Sequence, residues 1–339
     1  MTAEWFRYEG IDAFQLALAE QEAATDWYSE VPVNDFQFDN HGNELTLNFG
    51  RGITVEVPTA KFDNRALEGV LERLQVEGKG FKKLRAEILA PTLNNFSAVA
   101  NGDAEIAVRE GKVLACLSSG STQNDFCHLL SSDVLDKTIM SVHMNWGEEE
   151  AFIGVLEEKH MQASFKLPKE KLIGGSTFKV SLKFNTSDYG RSAIHYRADL
   201  ESALGEKIPV FEQEIVHRSG NTMDRIDETL SMLEKSVEDG AIRLEAMKSI
   251  MIENPCGAMR RIGRKFKLPK RDVLPVIAEY ERHGNAACSA YGCYKMLCKG
   301  IIRYEERSSL VYSQQYISKV MSLIGCDWKE YDLPGAFNW

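Results

Sequence analysis

Phe36-Gln37-Phe38-Asp39-Asn40-His41-Gly42-Asn43-Glu44-Leu45-Thr46-Leu47-Asn48-Phe49-Gly50-Arg51-Gly52-Ile53-Thr54-Val55-Glu56-Val57-Pro58 alternates apolar and polar residues in three short bursts. Phe36 and Phe38, then Leu45, Leu47 and Phe49, then Ile53, Val55 and Val57 occupy every second position, the spacing that sends side chains to one face of a strand. The turn Asn40-His41-Gly42-Asn43 and the pair Arg51-Gly52 separate the bursts, and Pro58 stops the last. A three-stranded meander is predicted. Met223 to Ile252 follows the other period: Ile226, Leu230, Leu233, Val237, Ile242, Leu244, Met247 and Met251 fall at helical spacing along one long element. Two periods kept in separate parts of the chain predict an α+β fold. A strand-rich middle carries an N-terminal meander and helical hairpin, and a helical C-terminal third packs on it.

Working outward, Ile11 to Ala24 is alanine-rich and carries Phe14, Leu16 and Leu18, which predicts a short helix before Trp27 and the break at Pro32. Leu67, Val70, Leu71 and Leu74, then Phe81, Leu84 and Ile88, predict a helical hairpin with Gly78 and Gly80 at its turn and Pro91 beyond its end. Ala104, Ile106 and Val108, the turn Glu110-Gly111-Lys112, and Val113, Ala115 and Leu117 predict a β-hairpin. Strand-like runs follow at Ile139 to Met144, Ala151 to Leu156, Met161 to Leu167, Phe178 to Phe184 and Ala193 to Ala198. The expected organisation is 1–60 as N-terminal helix and meander, 61–220 as strand-rich core and 221–339 as helical region, with 61–339 one cooperative unit.

A chain of 339 residues, 44% hydrophobic and 27% charged with nine prolines, has the composition of a globular protein. No apolar run approaches the ~18 residues of a membrane helix. The start, Met1-Thr2-Ala3-Glu4-Trp5-Phe6-Arg7, lacks the basic-then-apolar order of a signal peptide, so the cytoplasm of a host cell is expected and no membrane partner. Seven cysteines, Cys116, Cys127, Cys256, Cys288, Cys293, Cys298 and Cys326, are odd in number and scattered, which suits reduced thiols.

Familiar catalytic patterns do not emerge. If Asn285 to Lys299 is helical, Cys288, Cys293 and Cys298 advance by steps of five, ~140° apart at ~100° per residue, and face three directions; no metal is expected. Leu117-Ser118-Ser119-Gly120-Ser121-Thr122 and Gly174-Gly175-Ser176-Thr177 lack the Lys-Ser/Thr of a phosphate loop and read as turns. Glu148-Glu149-Glu150 and Glu157-Glu158 read as solvated charge. His195 and His217 lie beside Arg197 and Arg218 or nearby, and His128 follows Cys127, without a spaced nucleophile. No cofactor is expected.

Between Pro255 and Arg271 the chain places seven cations and no acid, although its formal net charge is -10. These are Arg260, Arg261, Arg264, Lys265, Lys267, Lys270 and Arg271. Met259, Ile262 and Phe266 fall on one helical face, leaving the cations on the flanks and the opposite side. Leu268-Pro269 closes this helix, and a second starts near Asp272, read as its cap, and ends at His283-Gly284. A helix-turn-helix is one reading, but Glu279 and Glu281 on the second helix make a poor surface for bases or phosphates. Phosphate contact by the first helix, or contact with an acidic protein partner, is the functional expectation.

Several segments resemble the phage- and plasmid-borne protein family named for a domain of unknown function, DUF932. They are Gln75-Val76-Glu77-Gly78-Lys79-Gly80-Phe81 with Leu89-Ala90-Pro91-Thr92-Leu93-Asn94, the hairpin Arg109 to Ser118, the turn Thr186-Ser187-Asp188-Tyr189-Gly190-Arg191-Ser192-Ala193, and Ser289 to Cys298. The likeness spans roughly residues 64–298, with Asp199-Leu200-Glu201-Ser202 where the family carries Cys-x-Asn-Gly and Gly292 where it carries an acid. The resemblance implies a mobile-element setting and no reaction. The leading expectation is a non-enzymatic phage-type protein that handles single-stranded nucleic acid in replication or recombination through 260–271. The alternatives are an interaction or assembly protein, homo-oligomeric or inhibiting a host factor, and an enzyme whose site assembles only in space.

Overall fold

The computed structural model describes residues 5–50, 52–59, 65–78, 80–118, 129–189, 193–217, 222–305, 310–335 and 337–339, without the side chains of 301–305 and 310–315. The expectations resting on Met1 to Glu4, on Ser119 to Thr122, on Cys127 and His128, on Gly190 to Ser192 and on Arg218 lie outside these residues.

The chain begins β1 (Trp5–Glu9), α1 (Ile11–Ala23), β2 (Asp26–Pro32), β3 (Gln37–His41), β4 (Glu44–Asn48) and β5 (Thr54–Val57). It continues α2 (Arg65–Arg73), α3 (Ala86–Ser97), β6 (Asp103–Arg109) and β7 (Lys112–Ser118). The predicted meander and hairpin form, and they join β2 in one six-stranded sheet of order β2-β6-β7-β5-β4-β3, antiparallel except at β5 and β7. Helices α2 and α3 cover one face, burying Leu67, Val70, Leu89 and Leu93 against Leu45, Leu47, Val55 and Ile106. Gly69 permits the approach of α2, since a Cβ there would lie 2.5 Å from the Cys116 carbonyl oxygen. On α3, Asn94 bonds both the amide (2.7 Å) and the carbonyl (2.9 Å) of Phe38, fixing the helix to β3.

Pro91 lies inside α3 rather than beyond its end. The amide it removes would have bonded the Glu87 carbonyl, and both residues are on the exposed face, where water can take that role. The buried stripe Ala86, Leu89, Ala90, Leu93 and Ser97 continues past it and holds the helix.

The second sheet is built from α4 (Ser131–Trp146), β8 (Ala151–Glu157), β9 (Met161–Ile173), β10 (Ser176–Thr186), β11 (Ile194–Ser202), β12 (Lys207–Ile215) and α5 (Thr222–Ala246). Its order is β1-β8-β9-β10-β11-β12, antiparallel throughout, with Gly174 and Gly175 in left-handed conformations at the β9–β10 turn. The run Ile139 to Met144, expected as a strand, belongs to α4: its full extent shows Val134, Leu135, Thr138, Val142 and Trp146 buried at helical spacing, which six apolar-rich residues alone did not reveal. One sheet face packs on α1, α4 and α5 through Phe152, Phe165, Phe184 and Tyr196, whose successive ring centroids are 5.0, 6.3 and 5.4 Å apart. The Tyr196 hydroxyl and Thr138 Oγ1, at 2.7 Å, satisfy each other inside this core.

The C-terminal third runs β13 (Met251–Ile252), α6 (Pro255–Lys265), α7 (Lys270–Arg282), β14 (Cys288–Ser289), α8 (Ala290–Glu305), α9 (Leu310–Met321) and α10 (Trp328–Tyr331). Its buried residues, among them Met259, Ile262, Tyr294, Leu297 and Trp328, are continuous with the core of the second sheet, as the α+β expectation required. The back of the first sheet meets the second at Trp27, Ala107, Leu114 and Ala115, where Trp27 stacks on Tyr189 at 5.9 Å. No helix among the described residues is long and apolar enough to cross a membrane.

Candidate nucleic-acid interface

Helix α6 separates apolar from basic residues. Met259 and Ile262 are fully buried and Phe266 is half-buried. Pro255 at the first turn suits a position whose amide has no helical acceptor. Just before it, the Asp332 carboxylate accepts the amides of Glu253 (2.9 Å) and Asn254 (2.8 Å). Burial raises the Asp332 carboxyl, but these amides and Lys329 outweigh it and hold it below the usual carboxylate range. The other end closes with Leu268 N donating to the Gly263 carbonyl (2.9 Å) and Lys267 N to that of Arg264 (3.3 Å), with Lys267 left-handed at φ 52°. The chain then turns at Pro269 into α7, where Asp272 sits buried in the first turn; Pro269 occupies the capping position expected of Asp272.

The seven cations do not share one fate. Arg260 forms a two-pronged pair with Glu281 of α7, Nη1 to Oε1 at 3.2 Å and Nη2 to Oε2 at 2.6 Å. This bond raises the Arg260 guanidinium and lowers the Glu281 carboxyl. Arg261 turns inward to the C-terminal segment and donates to the carbonyls of Tyr331 (3.4 Å), Leu333 (3.1 Å) and Gly335 (3.5 Å). Arg264, Lys265, Lys267, Lys270 and Arg271 are exposed, and among the described residues none of the five has an acidic partner.

The C-terminal segment brings two rings to this corner. Arg261 and Arg264 lie 5.2 and 5.7 Å from the Phe337 ring centroid, and Lys270 Nζ lies 5.9 Å from that of Trp339. The Trp339 ring rests on the α6 backbone at Gly263, where a Cβ would come within 2.5 Å of it. Lys319 of α9 adds a further, half-buried cation, its Nζ donating to the Lys267 carbonyl at 3.3 Å. Phe337, Trp339 and Lys319 were missed in the sequence. Two aromatics within the last three residues, after Pro334-Gly335, are the local signal that could have marked the first two.

The remaining sequence candidates resolve differently. Cys288 lies on β14 ahead of α8, so the rotation expected for three helical cysteines does not apply to it: its sulfur is 3.4 Å from that of Cys293. No group of three metal-binding side chains occurs among the described residues. The turn Thr186 to Tyr189 is buried between the sheets. Ser187 Oγ donates to the Lys159 carbonyl (2.5 Å), Asp188 accepts from Ser131, and the Tyr189 hydroxyl accepts from Arg109 Nη2 (2.5 Å). Glu149 is bonded to His143 at 2.8 Å and Glu150 to Lys179, surface pairs rather than a converged site. The chain matches no protein-family model, no curated protein and no solved structure.

Proposed function

We propose that the protein binds single-stranded nucleic acid through the α6–α7 corner, without catalysis, as a component of a phage or other mobile element. The observation that carries the reading is the cluster of five exposed cations lacking acidic partners among the described residues, set beside Phe337 and Trp339. Cations neutralise successive phosphates and release their counterions, while aromatic faces accept bases of any sequence. Helix α7 does not serve as a base reader: Glu281 is bonded to Arg260 of α6. The likeness of residues 64–298 to phage- and plasmid-borne proteins supports the setting.

The test is a fluorescence-anisotropy titration of a labelled single-stranded oligonucleotide over a range of salt. The parent should bind at low salt with a steep dependence on log salt. Replacing Arg264, Lys265, Lys270 and Arg271 together by glutamine should weaken binding for every sequence and make the slope shallower. Trp339→Ala should cost roughly 1 kcal/mol of binding, at the low end for one stacked base. If the parent fails to bind at low salt, or the quadruple variant binds as the parent does, this reading falls and an acidic protein becomes the partner to seek.

A further inference from the structure

Cys288 and Cys293 face each other at the start of α8, with their sulfurs 3.4 Å apart. Ser289 caps the helix by accepting the Gly292 amide (3.2 Å), so Cys288 immediately precedes the cap and its sulfur lies over the first turn. A Cβ on Gly292 would stand 3.5 Å from that sulfur, in ordinary contact. Beside Cys288 opens a cavity of about 530 Å³ whose lining includes Tyr280, Cys288, Tyr291, the bases Lys295 and Lys299 and the acids Glu206 and Glu279. Lys295 is paired with Glu206 at 2.7 Å, whereas Lys299 is exposed.

The arrangement favours one thiolate of the two. The Cys293 thiol donating to Cys288 is the largest influence; it outweighs burial, and the Cys293 amide and Tyr280 add to it, bringing the Cys288 thiol down to about 7. The single Tyr280 proton also has the Ala286 carbonyl at 2.7 Å to bond, so the Cys293 groups supply the firmer support. Cys293, fully buried beside that sulfur, is pushed strongly up and keeps its proton. A half-exposed nucleophile beside an open cavity, in contact with a buried second thiol, has the parts of a thiol–disulfide exchange site.

We propose that Cys288 is a reactive nucleophile that takes small-molecule disulfides such as glutathione disulfide and that Cys293 is its resolving thiol. In the first step the Cys288 thiolate attacks one sulfur of the disulfide, forming a mixed disulfide and expelling one small thiolate. In the second, Cys293 loses its proton to solvent and attacks the Cys288 sulfur, forming the 288–293 disulfide and expelling the second thiolate. Two protein thiols are oxidised and one small disulfide is reduced to two thiols. Closing from 3.4 Å to a bond of ~2.0 Å requires side-chain rotation at Cys288, which lies outside the helix.

The experiment treats the full-length folded chain with oxidised glutathione near pH 7, quenches with N-ethylmaleimide and maps the cysteines by peptide mass spectrometry. The parent should form an internal 288–293 disulfide. Cys293→Ser, with Cys293→Ala as a second variant should the hydroxyl disturb the buried site, should instead accumulate a mixed disulfide at Cys288. Cys288→Ser should leave Cys293 unmodified. Alkylation of reduced parent by iodoacetamide at pH 7 should reach Cys288 roughly tenfold faster than Cys326, whose thiol burial raises. Cys288 remaining unmodified by glutathione disulfide, or Cys288 reacting no faster than Cys326, would overturn the proposal.

Discussion

Two concentrations of charge on this molecule are balanced in opposite ways. On the polar face of the second sheet, Lys183, Arg197, Asp199, Glu201 and Lys207 arrive from three neighbouring strands. Arg197 Nε meets Asp199 Oδ1 at 2.5 Å, Lys183 reaches its other oxygen at 3.2 Å, and Lys207 reaches Glu201 at 3.6 Å. Asp199 is wholly buried and Arg197 nearly so. At the α6–α7 corner five cations stay in water, and among the described residues none of them has an acidic partner. Charges spread along alternating strands can meet an opposite sign when the sheet is covered, and burial then demands that they do. A run of like charges across one helix end and the turn into the next cannot neutralise itself and stays solvated or finds an outside partner.

The comparison breaks most visibly at Asp199. Asp199→Ala removes the buried acid that Arg197 and Lys183 share and should cost about 3–5 kcal/mol in urea unfolding. Replacing Arg197 and Asp199 together by methionine and leucine should recover part of that loss, since the buried guanidinium goes with its acid and Lys183 keeps Glu201 at 3.9 Å. Burial raises the Asp199 carboxyl, yet Arg197 and Lys183 together hold it below the usual range. Its folded value therefore lies below its unfolded one. The stabilisation is complete above about pH 4 and fades as pH falls toward the folded value, an acid limb that Asp199→Asn should flatten.

At the basic corner, packing rather than charge should carry stability. Phe266→Ala removes a half-buried ring and should cost about 2 kcal/mol, with oligonucleotide binding falling only as the folded fraction falls. The quadruple glutamine variant should unfold within ~1 kcal/mol of the parent, because it alters only exposed side chains without acidic partners among the described residues. An effect as large as that of Asp199→Ala would mean that these cations are built into the fold. The smallest change sharpens the same contrast. Lys267→Gly relieves a left-handed lysine at the end of α6 and should stabilise by about 0.5 kcal/mol, measured as a rise in Tm, while removing one phosphate contact from the salt slope.

Local patterns proved readable where one face of an element meets water. The three-stranded meander, the β6–β7 hairpin and a helix at α5 formed as expected, but α5 stops at Ala246, leaving Met247 and Met251 outside it, and Ile242 of the expected stripe is exposed. Elements buried more evenly were harder. β12 went unseen because Ile208, Pro209 and Val210 are all buried, with Pro209 next to a bulge in the pairing of β11 and β12; Ile139 to Met144 misled differently, since Met140, Val142 and Met144 alternate with Ser141 and His143 as in a strand, yet only Val142 is buried.

The candidate site divides along the same line. Seven cations within twelve residues, 260–271, and the apolar stripe of α6 are visible in order, because helical geometry relates residues only a few positions apart. Their partners are not. Arg260 finds Glu281 across 21 residues and Arg261 finds the Leu333 carbonyl across 72, while Cys288 meets Cys293 because the chain enters α8 from a strand. Side-chain period follows from the backbone within one turn or one pleat, so amino-acid order settles which residues share a face. Which cation is neutralised, which ring it meets and which thiols touch depend on where distant segments pack, and that is set by the burial of the whole core.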